Sequence, residues 1–437
     1  MEPEASDEKA RAEFARRSHG PLLKLPPHGH SGRMRLAMGS SQDRPVAIPI
    51  SSAARVVLHA GYVVAGIVTT LMGPILPILI GRWSLSDQRA GLFFTAQFCG
   101  SMVGVSTLGA LIGRGYRYAF VCGFSLIAAG VAGLTLGSYL AGLAAAALFG
   151  CGLGQALSAT NLWVAEVAKA RRVAALSVLN LAWGIGAVAS SPVVMFAQRR
   201  EAIPLLLYTI ASASALTALI LASMNLEPGA AEGDHQQFTA RRGENISMRS
   251  SLSLAALFFL YVGSENSIAG WVASLTKRMH PDSGDMWTLA PLFFWGGILS
   301  GRALVALVPF RWRERALLAG GLILAGASIC LLLRATTFAS IGTCVGAAGL
   351  GLAGIYPILI AWLLKAYGQR SRQIGAIMFA LAGMGGATMP WFVGLISTGT
   401  GSLGAGLLLP LAGCVAMFGL ISSMREPIFR DAGKPDD

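Results

Sequence analysis

Residues 140–165 read LAGLAAAALFGCGLGQALSATNLWVA, an apolar run of 26 residues without one charged side chain. A helix of about 20 apolar residues is long enough to cross the ~30 Å hydrocarbon layer of a membrane, so this stretch predicts a membrane-spanning helix. The whole chain shares its character, because 54% of its 437 residues are hydrophobic and 13% are charged. About a quarter of the residues in a soluble protein are charged. The composition therefore excludes most classes of soluble protein.

Eleven other apolar runs of similar length accompany this one along the chain. Short segments between them hold most of the charged residues, as expected for loops that connect membrane helices. The sequence therefore predicts an all-α membrane protein with twelve transmembrane helices, which we number spans 1 to 12 in chain order. Their predicted ranges are 56–80, 90–112, 118–137, 140–165, 173–197, 202–225, 252–275, 286–310, 316–333, 338–364, 374–397 and 402–422.

The positive charge of the chain predicts its orientation in the membrane. Lys and Arg outnumber Asp and Glu by 34 to 21. With the N-terminus in the cytoplasm, 14 Lys and Arg residues lie in the inner loops and seven in the outer loops. Cytoplasmic loops carry such an excess, so we expect both termini in the cytoplasm and the protein in the plasma (inner) membrane. The partner implied by the basic balance is then membrane lipid, and no nucleic acid is expected.

The two halves of the chain share residues at an offset of 197, including Gly100 with Gly297 and Gly104 with Gly301. A constant offset over several spans indicates duplication of a six-helix unit. We therefore expect two pseudo-symmetric halves with a solute site near the midplane between them. The predicted parts are a disordered cytoplasmic tail at 1–55, an N-terminal bundle at 56–225, a cytoplasmic linker at 226–251, a C-terminal bundle at 252–423 and a cytoplasmic tail at 424–437.

Four stretches give the chain a family resemblance. They are YVGSENSIAGW at 261–271, GLGQALSATN at 152–161, WGIG at 183–186 and YP at 356–357. Together with twelve spans in two halves around a basic linker, they resemble the major facilitator superfamily of transporters, and in particular its fucose and glucose permease branch. The resemblance implies a two-half transporter fold in which one central site opens alternately to each side.

The chain departs from this family pattern at two positions. The loop after span 2 normally has an Asp where this chain has Gly113, so the inner-gate salt bridge of that Asp is not expected here. In spans 4 of the fucose permease type, a Glu can occupy the position of Leu157. Its absence argues against carrying fucose over as the substrate.

Of the 21 acidic residues, Glu265 alone lies near the centre of a predicted span. A charge at the bilayer centre costs about 3 kcal/mol on insertion scales, so it is kept where it is paired, hydrated or protonated. Gly263, Ser267 and Gly270 lie on the opposite helix face and are small enough to pack against a neighbour. We therefore expect Glu265 to face a central cavity and to carry the coupling proton. A structural acid bonded to another helix is the alternative role, and sodium is the alternative ion.

Neutral polar and aromatic side chains inside the spans are candidates for binding a small-molecule substrate. Amides and acids bind the hydroxyl groups of sugars, and Trp rings pack on the apolar faces of sugar rings. Amides also bridge helices, which is the structural alternative for each of them. The candidates are Gln97, Gln155, Asn161, Asn180, Trp183, Tyr261, Asn266, Trp271, Trp295 and Tyr356.

Five charged residues are candidates for gating. Glu166, at the inner end of span 4, resembles the acid that closes the inner gate of sugar porters against loop arginines such as Arg171. A solvated helix end is the alternative. Arg114 and Arg117 occupy the loop after span 2. Arg302 lies inside span 8, where it can snorkel to the interface, stabilise a closed gate or form an ion pair with Glu265.

The expected function is secondary active transport of a small polar solute, with a monosaccharide as the expected class and proton symport as the expected coupling. A proton antiporter that exports drugs or hydrophobic metabolites is the alternative within this class. A membrane sensor that binds a solute without moving it is the alternative from another class.

A membrane enzyme is not expected, because the sequence contains no intramembrane His pair, no Ser/His or Cys/His set and no phosphate loop. The six cysteines lie in apolar spans without metal-ligand spacing. Neither a metal nor a cofactor is therefore expected, and the protein is expected to be a monomer.

Overall fold

The computed structural model describes residues 52–168, 171–226, 248–307 and 314–424. Within these ranges all regular structure is helical. The predicted tails and the predicted linker fall largely outside the described residues. Twelve of the described helices are long and apolar enough to cross a membrane, so the predicted fold class is confirmed.

Fifteen α-helices build the twelve spans, because spans 1, 10 and 12 each consist of two helices. Two 3-10 helices, Pro281–Leu289 and Gly368–Arg370, precede spans 8 and 11. The α-helices are Ser52–Thr70, Met72–Trp83, Asp87–Ile112, Tyr116–Gly133, Tyr139–Ala168, Arg172–Arg199, Ile203–Ala222, Met248–Met279, Ala290–Leu307, Glu314–Leu332, Phe338–Leu352, Ile355–Tyr367, Ser371–Thr400, Leu403–Gly406 and Leu408–Ser423.

Several helices begin before the apolar runs that predicted them. Span 1 begins at Ser52, inside the predicted tail, and span 7 begins at Met248, inside the predicted linker. Span 2 begins at Asp87, where the side chain of Ser86 accepts a hydrogen bond from the N–H of Arg89. Polar first turns extend a helix beyond the hydrocarbon layer, and an apolar-run criterion does not register them.

Two prolines explain the breaks in spans 1 and 10. Proline has no N–H to donate to the carbonyl four residues earlier, and its ring clashes with that carbonyl. Pro74 and Pro357 stand four residues after Thr70 and Ala353. The first helix of span 1 ends at Thr70, and the helices of span 10 are separated at Ala353.

Glycines allow spans 2 and 4 to pack with their backbones in contact. A Cβ atom added to Gly100 or Gly104 would lie 2.0 or 2.1 Å from a carbonyl oxygen of span 4. Reciprocally, a Cβ atom on Gly150 would lie 2.1 Å from the carbonyl oxygen of Gln97. The four-residue spacing of the glycines thus places small residues on one helix face at this interface.

We call the end of the bundle where span 6 ends and span 7 begins the linker side, and the opposite end the distal side. Near the distal side, span 2 of the N-terminal half packs closely against span 11 of the C-terminal half. A Cβ atom on Gly91 would lie 2.8 Å from the Cα atom of Trp391. One helix turn further, the hydroxyl of Thr95 donates a 2.7 Å hydrogen bond to the carbonyl of Ala387.

This seam between the halves opens toward the linker side. The face of span 2 that touches span 11 continues at intervals of three or four residues to Val105, Ser106 and Gly109, which are all exposed. On span 11 the corresponding face continues to Ala376 and Phe379, which are also exposed. Spans 2 and 11 therefore touch on the distal side and stand apart on the linker side.

We predict that replacing Gly104 with Ala lowers the melting temperature of the purified protein by several degrees. The new methyl group would lie 2.1 Å from the carbonyl oxygen of Cys151, so spans 2 and 4 must separate. Overpacking of this kind costs about 1–3 kcal/mol. Gly109→Ala is the matched control on the same helix, because its Cβ atom meets nothing within 4 Å. Equal melting temperatures for the two variants would contradict the packing argument.

Candidate functional site

A cavity of about 290 Å³ lies between span 5 of one half and span 8 of the other. Four residues predicted to bind substrate or gate the site line it together, namely Asn180, Trp183, Trp295 and Arg302. The remaining lining residues are Ser177, Leu181, Gly184, Ala187, Ile298, Leu299 and Ala303. Among the described lining residues, Arg302 is therefore the one charged side chain.

Two tryptophans form an aromatic contact between the halves at this cavity. The rings of Trp183 and Trp295 meet edge to face, with their centroids 5.5 Å apart. The indole N–H of Trp183 donates a 3.4 Å hydrogen bond to the hydroxyl of Thr69. The indole N–H of Trp295 is buried and has no hydrogen-bond partner among the described residues. The cavity thus has an aromatic wall with one unused donor.

An ion pair connects spans 7 and 8 beside the cavity. Arg302 Nη2 lies 3.9 Å from Glu265 Oε1, and the two side chains are 31% and 10% exposed. Glu265 also accepts a 2.8 Å hydrogen bond from the hydroxyl of Tyr261, one helix turn earlier. The central acid is therefore paired and hydrogen-bonded, and its arginine partner is the side chain that reaches the cavity.

A second tyrosine completes the surroundings of the ion pair. The ring of Tyr356, at the start of the second helix of span 10, stacks on Tyr261 with centroids 5.7 Å apart. Phe258 packs edge to face against the same ring. These contacts hold the hydroxyl of Tyr261 against the carboxylate of Glu265.

The three predicted amides of spans 2 and 4 all make contacts within the N-terminal half. Gln97 donates to the carbonyl of Thr69, Gln155 to the hydroxyl of Thr107, and Asn161 to the hydroxyl of Tyr62, at 3.1, 2.9 and 2.7 Å. The side-chain oxygen of Gln155 is buried without a partner among the described residues. These amides connect span 4 to spans 1 and 2, as well as span 2 to span 1.

Two further candidates make packing contacts. Asn266 donates to the carbonyl of Val262 on its own helix, at 2.9 Å. Trp271 is fully buried, and its indole N–H donates a 2.8 Å hydrogen bond to the carbonyl of Pro390 on span 11. The stretch 261–271 therefore holds its helix against span 11 as well as carrying Glu265.

The predicted gating residues on the linker side are not joined into a gate. Glu166 accepts a 2.7 Å hydrogen bond from the hydroxyl of Tyr116 on span 3. Arg114, Arg117 and Arg171 are exposed, and no ion pair joins them to another described residue. This arrangement agrees with the separation of the two halves on the linker side.

The sequence did not predict the strongest polar contact between the halves, which lies on the distal side. Asp87 of span 2 accepts two hydrogen bonds from the guanidinium of Arg278 of span 7, at 2.5 and 2.8 Å. The hydroxyl of Ser397 on span 11 donates to the same carboxylate at 2.5 Å. We call these three residues the distal latch. Each of them lies near the end of a span, where the sequence predicts a polar residue exposed to water.

Comparison with known proteins identifies the family. Residues 58–390 match the family model of the Major Facilitator Superfamily. The chain belongs to the major facilitator superfamily. Membership in this superfamily makes the protein a membrane transporter and not an enzyme. No curated protein sequence matches the chain.

Solved structures of other superfamily transporters share the fold at low sequence identity. The xylose transporter XylE from E. coli, in an inward-open conformation, is 14% identical, with a TM-score of 0.67 over 84% of this chain and 95% of its own. The nucleoside transporter NupG is 13% identical, with a TM-score of 0.66 over 85% and 98%. A bacterial homolog of the human lysosomal transporter Spinster is 14% identical, with a TM-score of 0.63 over 86% and 94%.

We predict that Asp87→Asn opens the distal side of this superfamily member more often. The paired contact between Asp87 and Arg278 favours the closed distal seam. Removing the negative charge breaks this contact and so favours opening. A cysteine at position 95, in a protein whose six native cysteines are replaced by serine, reports opening because Thr95 contacts span 11 across the seam. Its reaction with a maleimide should become about tenfold faster, a shift of roughly 1.4 kcal/mol.

The matched control for this variant is Asp282→Asn, which removes an exposed acid on the same side of the bundle. It should leave the reaction rate of the cysteine unchanged. Equal rates for Asp87→Asn and its parent would show that the distal latch does not hold the halves together.

Proposed function

We propose that the chain is a secondary active transporter that moves a small polar solute by alternating access, with the proton as its coupling ion. The observation that carries this proposal is the cavity between span 5 of one half and span 8 of the other, bordered by the ion pair of Glu265 and Arg302. The distal latch joins the two halves in the same bundle. Rocking of two halves about such a site is how transporters built from repeats expose it to each side in turn.

The orientation is proposed from the charges of the loops. The linker side carries 14 Lys and Arg residues in its loops, against seven on the distal side, and the positive-inside rule then places it in the cytoplasm. Under this assignment the structure represents an inward-facing conformation, and the distal latch is an external gate.

We predict that a green fluorescent protein fused to the C-terminus fluoresces in bacterial cells and that alkaline phosphatase fused there is inactive. Both results follow from a cytoplasmic C-terminus, because the phosphatase needs the oxidising periplasm to form its disulfides. Active phosphatase together with a dark fluorescent fusion would invert the proposed orientation.

Glu265 is the proposed proton carrier. Its side chain is 10% exposed near the middle of span 7, and its partner Arg302 belongs to a different span and reaches the cavity. A carboxyl group in this position can take a proton when Arg302 turns to another partner and give it up when the ion pair re-forms. The solute and the carboxylate of Glu265 then compete for one guanidinium, and binding of the solute favours protonation of Glu265.

We predict that Glu265→Gln abolishes uphill uptake driven by a proton gradient and retains exchange of the solute down its own gradient. The amide keeps the shape of the side chain but cannot exchange a proton. The measurement is uptake and counterflow in proteoliposomes, and Glu201→Gln, an exposed acid on the distal side, is the control. If uphill uptake and its pH dependence are unchanged in Glu265→Gln, Glu265 is not the proton carrier.

The solute class is tested by counterflow in proteoliposomes with a panel of sugars and amino acids, with and without a proton gradient. The sequence predicts a monosaccharide, and Asn180 and Trp183, two of the residues predicted to bind it, line the cavity. Flux that depends on sodium instead of protons would identify the other coupling ion. Binding without flux would favour a solute sensor, and outward pumping of apolar compounds would favour an exporter.

A further inference from the structure

We infer that the solute is a small organic carboxylate, bound through its carboxylate group to Arg302. This inference builds on the proposed function and narrows the class of its substrate. The polar groups that line the cavity include a guanidinium, which a neutral sugar does not need.

The cavity offers more hydrogen-bond donors than acceptors. Arg302 presents only donors, and the N–H groups of Trp183 and Trp295 are donors as well. Asn180 and Ser177 also line the cavity, and each carries one acceptor oxygen beside its own donors. The central carboxylate, the strongest acceptor nearby, is not among the described lining residues and already accepts a bond from Tyr261. A sugar hydroxyl group must donate as well as accept, whereas a carboxylate only accepts.

Two of these donors have unused capacity. The Nε atom of Arg302 is buried without a hydrogen-bond partner among the described residues. Its Nη2 atom stops 3.9 Å from Glu265, which is beyond hydrogen-bonding distance. Trp295 is 5% exposed, and its N–H also lacks a partner in the described part of the chain. A planar carboxylate fits a guanidinium with two parallel hydrogen bonds.

The aromatic wall and the size of the cavity describe the rest of the solute. Trp183 and Trp295 present ring surface beside Arg302, and the volume of about 290 Å³ admits a small molecule. We therefore assign the carboxylate to Arg302 and the N–H of Trp295, and the body of the solute to the ring of Trp183.

This arrangement balances the charge of the site. Before binding, the guanidinium of Arg302 and the carboxylate of Glu265 sum to zero. When the solute carboxylate pairs with Arg302, Glu265 loses its partner in a poorly hydrated position and takes one proton from water, so the sum stays zero. One proton then moves with each carboxylate, and transport is electroneutral.

The test begins with binding, because binding does not require coupled transport. The purified protein is heated with matched probes that differ in charge, gluconate with glucose and benzoate with benzamide. We expect at least one carboxylate to raise the melting temperature and its neutral counterpart not to do so. Stabilisation by the neutral member of a pair, or by no carboxylate of the panel, overturns the inference.

Variants assign the carboxylate to Arg302. We expect Arg302→Gln to weaken binding of the stabilising carboxylate about ten- to hundredfold, the range for a hydrogen bond to a charged group. Arg302→Lys retains the charge and should recover part of the affinity, which guards against a folding defect in the first variant. Arg334→Gln, an exposed arginine on the distal side, is the control and should bind normally. Equal binding by all three variants and the parent overturns the assignment.

Proton uptake separates this inference from the proposed coupling. In weakly buffered solution, a pH indicator should report about one proton taken up per carboxylate bound by the parent and none by Glu265→Gln, which should still bind. In proteoliposomes, a pH gradient and not a membrane potential should drive uptake. Carboxylate binding without proton uptake would refute the coupling at Glu265 and leave the substrate class intact, whereas proton-driven uptake of glucose alone would do the reverse.

Discussion

The ion pair of Glu265 and Arg302 orders the interior of the C-terminal half. Neither charge is tolerated against lipid, so both helix faces that carry them must turn inward. The small face of span 7 can then meet its neighbours, since a Cβ atom on Gly263 would lie 2.2 Å from the sulfur of Met389 and one on Gly270 2.4 Å from the ring of Phe94. One electrostatic constraint therefore determines the orientation of span 7, and close packing against spans 2 and 11 follows from it.

The two ends of the seam between the halves differ in their contacts. On the distal side, glycines bring spans 2 and 11 together and a carboxylate receives three hydrogen bonds from span 7 and span 11. On the linker side, the continuing faces of both spans are exposed. Because Asp87 is 8% exposed while Arg278 is 43% exposed, water reaches the latch from one side. Water can therefore replace the hydrogen bonds of Arg278 when the ion pair breaks, which suits the proposed role of the latch as a gate.

Apolar runs and the rarity of charge made much of this molecule predictable. The bilayer contains no water to hydrogen-bond the backbone, so the chain crosses it as twelve apolar helices. A carboxylate in the middle of one of these helices is costly for the same reason, and Glu265 is therefore easy to recognise in the sequence. One cavity is lined by four predicted site residues, all of them polar or aromatic groups inside spans, namely Asn180, Trp183, Trp295 and Arg302.

The unpredicted features depend on which span ends meet in space. Asp87 and Arg278 are 191 residues apart and lie at the ends of their helices, where a charge needs no partner. Trp271, an aromatic side chain inside a span, is a predicted binding residue, yet its indole N–H donates a hydrogen bond to the carbonyl of Pro390. A single sequence identifies residues of unusual chemistry, but it does not reveal whether a neighbouring helix already satisfies them.

The two ion pairs differ in what can break them. Asp87 and Arg278 belong to opposite halves, so rocking of the halves must separate them, whatever occupies the cavity. Glu265 and Arg302 belong to the same half and move together during rocking. Their separation therefore requires a competing charge or a proton, not a change of conformation. In the proposed mechanism, the latch therefore responds to the orientation of the halves and the central pair responds to occupancy of the cavity. Span 7 carries one member of each pair, Glu265 and Arg278. We propose that occupancy of the cavity biases the opening of the distal latch through this continuous helix.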